Sequence, residues 1–173
     1  MPSRMRKVPL YDSFGAIAPR ITGGLSAASS SLIIYIILRS EKKLSTIYHR
    51  IMFAISIADI LGSVAMGLTT LPMPKDTGTD HDDFGGTALG NTQTCEAQGF
   101  FFVFGVTTMF GYNAMLCVYY TCAIASKMKE EQIARGVEPW LHIIPLVLGL
   151  AYAVPPLFTQ MYNPTSTGTS TIY

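Results

Sequence analysis

Charge is what this chain has least of. Only 13% of its 173 residues are Asp, Glu, Lys or Arg, about half the share usual in water-soluble domains, so ionic groups cannot solvate most of its surface. Twelve basic against eleven acidic residues leave a formal net charge of +1, which excludes the one-signed field that a nucleic-acid partner calls for. Cysteine is scarce and odd in number. Cys95, Cys117 and Cys122 are too few for a disulfide-stapled fold and lack the spacing of a zinc site. Heptads, long-period repeats, a phosphate-cradling glycine loop and a Ser/His/Asp or Cys/His catalytic set are also missing. An enzyme is therefore the weak reading, and no cofactor is expected. Asn163-Pro164-Thr165 carries proline in the middle and fails as a glycosylation acceptor.

What the chain has instead is long apolar runs. Ala97–Ser126 holds thirty residues without one charged side chain. As a helix it rises about 45 Å, more than the roughly 30 Å of a bilayer's hydrocarbon core. A helix apolar on all sides has no face to give to water. Thr107, Thr108, Tyr112, Asn113, Tyr119 and Tyr120 interrupt this run with groups that need partners, which predicts a place inside a bundle rather than in lipid alone. Cys117 and Cys122, inside the same run, read as small buried hydrophobes.

Three further spans are predicted: Ile21–Leu38, Ile51–Leu71 and Trp140–Tyr162. The expected fold is all-α, an integral membrane bundle of four transmembrane helices. An N-terminal segment occupies 1–20, the membrane domain 21–162, and a short, polar, unstructured tail 163–173. The first apolar segment ends at Arg39 without an Ala-x-Ala-like site, so it reads as a span and not as a cleaved leader. Gly23–Ala27–Ser31 and Ala54–Ala58–Gly62 each repeat a small residue every fourth position, the spacing of a close helix–helix contact. Pro145, Pro155 and Pro156 in the last span predict a kink that neighbouring helices must satisfy. The loop cluster Asp80, His81, Asp82 and Asp83 has ligand atoms suited to a divalent ion, but nothing fixes their geometry, and a solvated acidic loop is the expectation.

The connectors differ in charge. The first and third hold seven Lys and Arg between them; the second and the tail hold one, Lys75. Short basic connectors stay cytoplasmic, which puts the N-terminus, the second connector and the tail outside, although Arg4, Arg6, Lys7 and Arg20 argue the other way. Cys95 then faces the oxidising side, where a disulfide persists.

Asp59 sits mid-span, flanked by Ile57, Ala58, Ile60 and Leu61. A carboxyl group at that depth costs about 2.5–3.5 kcal/mol on insertion scales, so it should face the bundle interior and take hydrogen bonds, a proton or a cation. Its candidate donors are Ser29, Ser30 and Ser31 of the first span and Asn113 of the third. A purely structural, hydrogen-bonded Asp59 remains the alternative. His142 reads as an interfacial anchor at the cytoplasmic end of the fourth span.

Taken in order, TIYHRIMFAISIADILGS (46–63), a Cys opening the next span, GYNAMLCVYY (111–120), MKEE (128–131) and EPWLHIIPL (138–146) resemble the first four helices of a seven-helix G-protein-coupled receptor. The likeness is to receptors of protists and other microbial eukaryotes related to the slime-mould cyclic-AMP receptors, and it covers residues 21–164. The resemblance implies a hydrated, often sodium-binding polar cluster at Asp59, with Ser30 and Asn113 as neighbours. It implies a disulfide from Cys95 to a cysteine that should follow the fourth helix, where this sequence reaches Tyr162-Asn163-Pro164. It implies a G-protein-facing end of the third helix at Tyr119, Tyr120 and on to Lys127. No Asp-Arg-Tyr triplet is present, so ionic-lock reasoning from the rhodopsin-like class does not transfer.

The expected function is that of a receptor-like, multi-pass protein of the plasma membrane, an incomplete seven-helix receptor. Its intact form would sense an extracellular ligand and activate a heterotrimeric G protein, with membrane lipid as its surroundings and no nucleic-acid partner. The alternative is a self-contained four-span scaffold or transporter subunit.

Overall fold

The computed structural model describes residues 10–69, 71–72, 89–159, 161–163 and 171–172. Helices account for nearly all of them: α1 (Leu10–Arg39), α2 (Ile47–Leu68), α3 (Thr92–Tyr120), α4 (Glu130–Gly136), α5 (Glu138–Ala153) and α6 (Pro155–Phe158). Four stretches are long and apolar enough to cross a membrane: Ile17–Arg39, Ile47–Leu68, Thr92–Ala125 and Glu138–Phe158. The cluster Asp80, His81, Asp82 and Asp83 lies outside the described residues.

The helix ends follow from local chemistry. Thr46 caps α2 by accepting from the His49 N–H at 3.4 Å, and Asn91 and Thr94 form a reciprocal capping box at the start of α3, at 2.9 and 2.8 Å. At its other end α3 runs into a π-helical turn, Thr121–Ala125, which closes with Ser126 N–H on the Thr121 carbonyl and Met128 N–H on that of Cys122, both at 3.1 Å. A wider turn there lets Lys127 reverse the chain at a φ of 50°. Pro145 does not interrupt α5; the break comes at Val154, where Pro155 and Pro156 start α6.

Packing runs α1 on α2, α2 on α3, and α3 on α5, so α2 and α3 hold the bundle together. The ridge Ala54–Ala58–Gly62 faces α3. A methyl group on Gly105 would lie 2.5 Å from Gly62 N and 2.8 Å from the Ala58 carbonyl oxygen, a backbone-to-backbone approach that only glycine permits. In α1 the contact face is Gly23, Ser26, Ser30 and Ile37 rather than Gly23–Ala27–Ser31; Ser31 is exposed. Gly23 is the tight point, where an added methyl would meet the Ser63 carbonyl oxygen at 2.6 Å. In α5 the buried residues Leu141, Pro145, Gly149 and Ala153 recur every fourth position and lie on α3, one clean stripe in a helix that is otherwise apolar all round.

Several expectations need correcting. Helix α1 starts at Leu10, not at residue 21. The tail is not wholly unstructured: Tyr162–Asn163 pairs antiparallel with Thr171–Ile172. Tyr162 is buried and its hydroxyl donates to the Ala153 carbonyl at 2.9 Å, and burial raises its pKa above the ordinary phenol value. Cys117 is exposed, not buried, and Cys122 is half-buried, because α3 buries only the side that meets α2 and α5.

Candidate functional site

Asp59 is where the sequence put a charge in an apolar run, and the fold surrounds it with hydroxyls. Ser26 Oγ lies 3.1 and 2.9 Å from its two carboxyl oxygens, Ser30 Oγ donates to Oδ2 at 2.7 Å, and Ser63 Oγ reaches Oδ1 at 3.4 Å. Ser26 and Ser30 are four apart on α1 and Ser63 is four beyond Asp59 on α2, so helical spacing alone brings three donors to one point. A cavity of about 280 Å³ adjoins the group, walled on the α3 side by Phe102, Gly105, Val106 and Met109. The absence of a side chain on Gly62 and Gly105 is what brings α3 close enough to form that wall.

Of the donors expected for Asp59, the structure brings in Ser30 and leaves out the rest. Ser29 and Ser31 return their hydroxyls to the carbonyls of Leu25 and Ala27 in their own helix, at 2.8 and 2.7 Å, the usual way a lipid-exposed serine satisfies itself. Asn113 is not part of the cluster. It is exposed and its Nδ2 donates to the Met109 carbonyl at 2.9 Å. Gly105 is the α3 residue at the level of Ala58 and Gly62, and Asn113 lies eight residues, about 12 Å, further along and turned away. Ser26 and Ser63 were missed, although their four-residue spacing from Ser30 and Asp59 was readable.

A second polar group stands at the other end of the bundle. The Arg50 guanidinium grips Glu138 through both branches, Nε to Oε1 and Nη2 to Oε2, the latter at 2.8 Å, a forked geometry that fixes orientation as well as charge. His142 Nε2 lies 3.8 Å from the same carboxylate and its Nδ1 lies 3.3 Å from the Tyr112 hydroxyl. The line Arg50–Glu138–His142–Tyr112 therefore joins α2, α5 and α3, and His142 is a member of a network rather than a free interfacial anchor. Its sequence signal was Glu138 and His142 at i and i+4. Beside it, Glu130 accepts from the Ile47 N–H at 3.1 Å, satisfying an orphan donor at the start of α2. Ile133 is 1% exposed and packs with Ile47, Ile51, Tyr112 and Leu141. Helix α4 is thus docked on the bundle.

The remaining sequence candidates are placed as follows. Cys95 is buried in the first turns of α3, and Cys117 lies about six turns further along the same helix. Tyr119 is half-buried against the Ile47–Tyr112 core. The Tyr120 ring is exposed and lies tilted against that of Tyr48, with the ring centres 6.4 Å apart, and Lys127 is exposed beyond the π-helical turn.

At the opposite end, three helices meet at Thr69. This residue is fully buried with φ 47° and ψ −116°, an outlying conformation for a β-branched side chain. It is held by Arg20 Nε on its hydroxyl at 2.7 Å and Gln98 Nε2 on its carbonyl at 2.9 Å. Neighbours over-determine this backbone strain, as such strain requires.

No protein-family model, no curated protein and no solved structure matches the chain.

Proposed function

We propose that this chain is a receptor-type membrane protein: the first four helices of a seven-helix G-protein-coupled receptor of the plasma membrane, with its N-terminus outside. A small ligand reaches it from the outer side and a heterotrimeric G protein is its inner partner. The reading rests on Asp59. Its carboxyl group lies in the second of four apolar helices, takes hydrogen bonds from the first, and borders a cavity walled by the third. A group that costs several kcal/mol at that depth is retained for a use.

Two further features support it. The uncovered face of α3 carries Phe110, Asn113 and Cys117, and an amide at membrane depth calls for another helix against it. At the basic end, the docked α4 gives the third connector a fixed shape between exposed Lys127, Lys129 and Arg135, a preformed surface of the kind a cytosolic partner reads.

The donors at Asp59 also fit the cation that the resemblance implies. One carboxyl group and three hydroxyls converge, and no group of three or more His, Cys, Asp or Glu gathers among the described residues. Hard oxygen donors with a single negative charge suit sodium better than a divalent ion. Sodium there would balance the carboxylate, while Ser26, Ser30 and Ser63 would orient it.

An antibody against residues 127–139 tests the reading in the protein's native membranes. A seven-helix parent runs well above the 18.8 kDa of this chain and, purified, accelerates GTP exchange on a G-protein heterotrimer. A native polypeptide of 18.8 kDa without exchange activity overturns it in favour of a four-span protein.

A further inference from the structure

Among the described residues, three other than glycine hold a φ in the left-handed region: Lys43 at 43°, Thr69 at 47° and Lys127 at 50°. Thr69 is accounted for by Arg20 and Gln98. The two lysines are not. They lie at the same end of the bundle, in the first and third connectors, which Glu130 ties together through the Ile47 N–H. The backbone at each is locked from both sides. The Lys43 N–H donates to the Ser40 carbonyl at 3.2 Å and faces the Ser40 hydroxyl at 3.0 Å, while its own carbonyl lies 2.6 Å from His49 Nδ1. On either side of Lys127, the Ser126 and Met128 N–H groups are pinned to the Thr121 and Cys122 carbonyls.

Glycine takes this conformation without steric cost and a long side chain does not. Both positions nevertheless carry an exposed cation, and no ion pair among the described residues involves either one. Orientation across a membrane does not demand this. The bias of basic connectors toward the cytosol depends on how many Lys and Arg they hold, not on their occupying turns that suit glycine. Strain over-determined by its neighbours calls for a use of the side chain that bears it.

The surroundings indicate which use. Arg39 ends the first membrane-crossing stretch and folds back along α1, its guanidinium 5.7 Å from the centre of the Tyr35 ring and donating to the Tyr35 hydroxyl. Tyr35 is exposed, and an arginine held against such a tyrosine sits at headgroup depth. Lys42 and Lys43 follow within four residues, and Lys127 stands two residues beyond the end of the third stretch at Ala125. All four cations are exposed and without a carboxylate partner among the described residues; Glu41 is the one acid between Arg39 and Lys43. Clusters of this size immediately outside a span attract the anionic lipids of a cytosolic leaflet.

We propose that Arg39, Lys42, Lys43 and Lys127 form a docking surface for the headgroups of anionic phospholipids, with the two left-handed lysines as its principal contacts. Lipid is favoured over an acidic protein segment because all four cations lie within about one turn's length of a span end, where headgroup phosphates already are. Lys129 and Arg135 ride on α4 and are left to the cytosolic partner. The surface rests on the orientation proposed above only for the choice of leaflet, and its test does not depend on that orientation.

The purified chain in neutral detergent is titrated with phosphatidylserine or with phosphatidylcholine of the same acyl chains, and lipid-bound species are counted by native mass spectrometry. Phosphatidylserine should bind about ten-fold more tightly or better, and raising the ionic strength should erode the difference. Changing Lys43→Gly and Lys127→Gly together should weaken phosphatidylserine binding by about five-fold per lysine and leave phosphatidylcholine binding where it is. Because glycine suits both turns, this double variant should melt no lower than the unmodified protein in phosphatidylcholine nanodiscs, which separates a lost headgroup contact from a damaged turn. Lys42→Gln, at a position without left-handed strain, gives an independent loss; should the double variant not purify, that loss and the lipid preference of the unmodified chain decide. Equal binding of the two lipids, or phosphatidylserine binding undiminished by these substitutions, overturns the proposal and leaves the cations to an acidic protein partner.

Discussion

Asp59 illustrates how much one residue can determine and how its partners are chosen. Three consecutive serines, Ser29, Ser30 and Ser31, are equivalent by composition, but they point about 100° apart around α1. Only Ser30 meets the carboxyl group, at 2.7 Å, and Ser26 joins it from one turn away. Ser30→Ala should lower stability by roughly 1–2 kcal/mol, read as a reduced melting temperature in detergent, whereas Ser29→Ala and Ser31→Ala leave it unchanged because their hydroxyls serve only their own helix. Equal effects at all three positions would contradict the geometry. Sodium gives the second readout at this scale. Replacing choline chloride by sodium chloride at equal ionic strength should raise the melting temperature of the unmodified protein and leave that of Asp59→Asn where it is. The position of the acidic group was legible because a charge in an apolar run is costly. Asn113 was misassigned because its polarity marks membrane depth poorly, and only the Gly62–Gly105 contact fixes the register of α3 on α2.

Single elements explain why the four helices were legible and some of their ends were not. Length and lack of charge identify spans without reference to periodicity, and the small-residue ridge of α2 marked its face toward α3. The start of α1, the π-helical turn after Tyr120 and the docking of α4 depend on tertiary partners and leave little local signal. Gly105→Leu places a side chain where α2 and α3 backbones touch, so it should cut the monodisperse fraction in size-exclusion chromatography several-fold. Gly24→Leu, where an added methyl meets nothing within 4 Å, should leave it intact. Helix α4 is attached through Glu130 on the Ile47 N–H and through buried Ile133. Ile133→Ala removes contacts worth about 2–5 kcal/mol in a well-packed site, more than a helix of seven residues can supply by itself. Trypsin should therefore cut at Lys129 and Arg135 much faster in Ile133→Ala than in the unmodified protein, while the long helices stay protected.

Across the whole molecule, polar groups are gathered at three levels: Arg20, Thr69 and Gln98 at one end, Asp59 with its serines between, and Arg50, Glu138, His142 and Tyr112 at the other. Each level ties at least two spans together where lipid offers no hydrogen bonds, so the bundle is held by polar cross-links and close backbone contacts more than by burial of apolar area. All three levels require that the helices alternate in direction across a bilayer. Labelling of single cysteines with a membrane-impermeant maleimide tests that most directly, using Ser45→Cys, Asp82→Cys and Glu131→Cys in a background with Cys95, Cys117 and Cys122 changed to serine. Asp82→Cys should react on intact cells, while Ser45→Cys and Glu131→Cys react only after permeabilisation. Reaction of the residue 82 site together with the residue 45 site, on either side of the membrane, would contradict the four-span bundle.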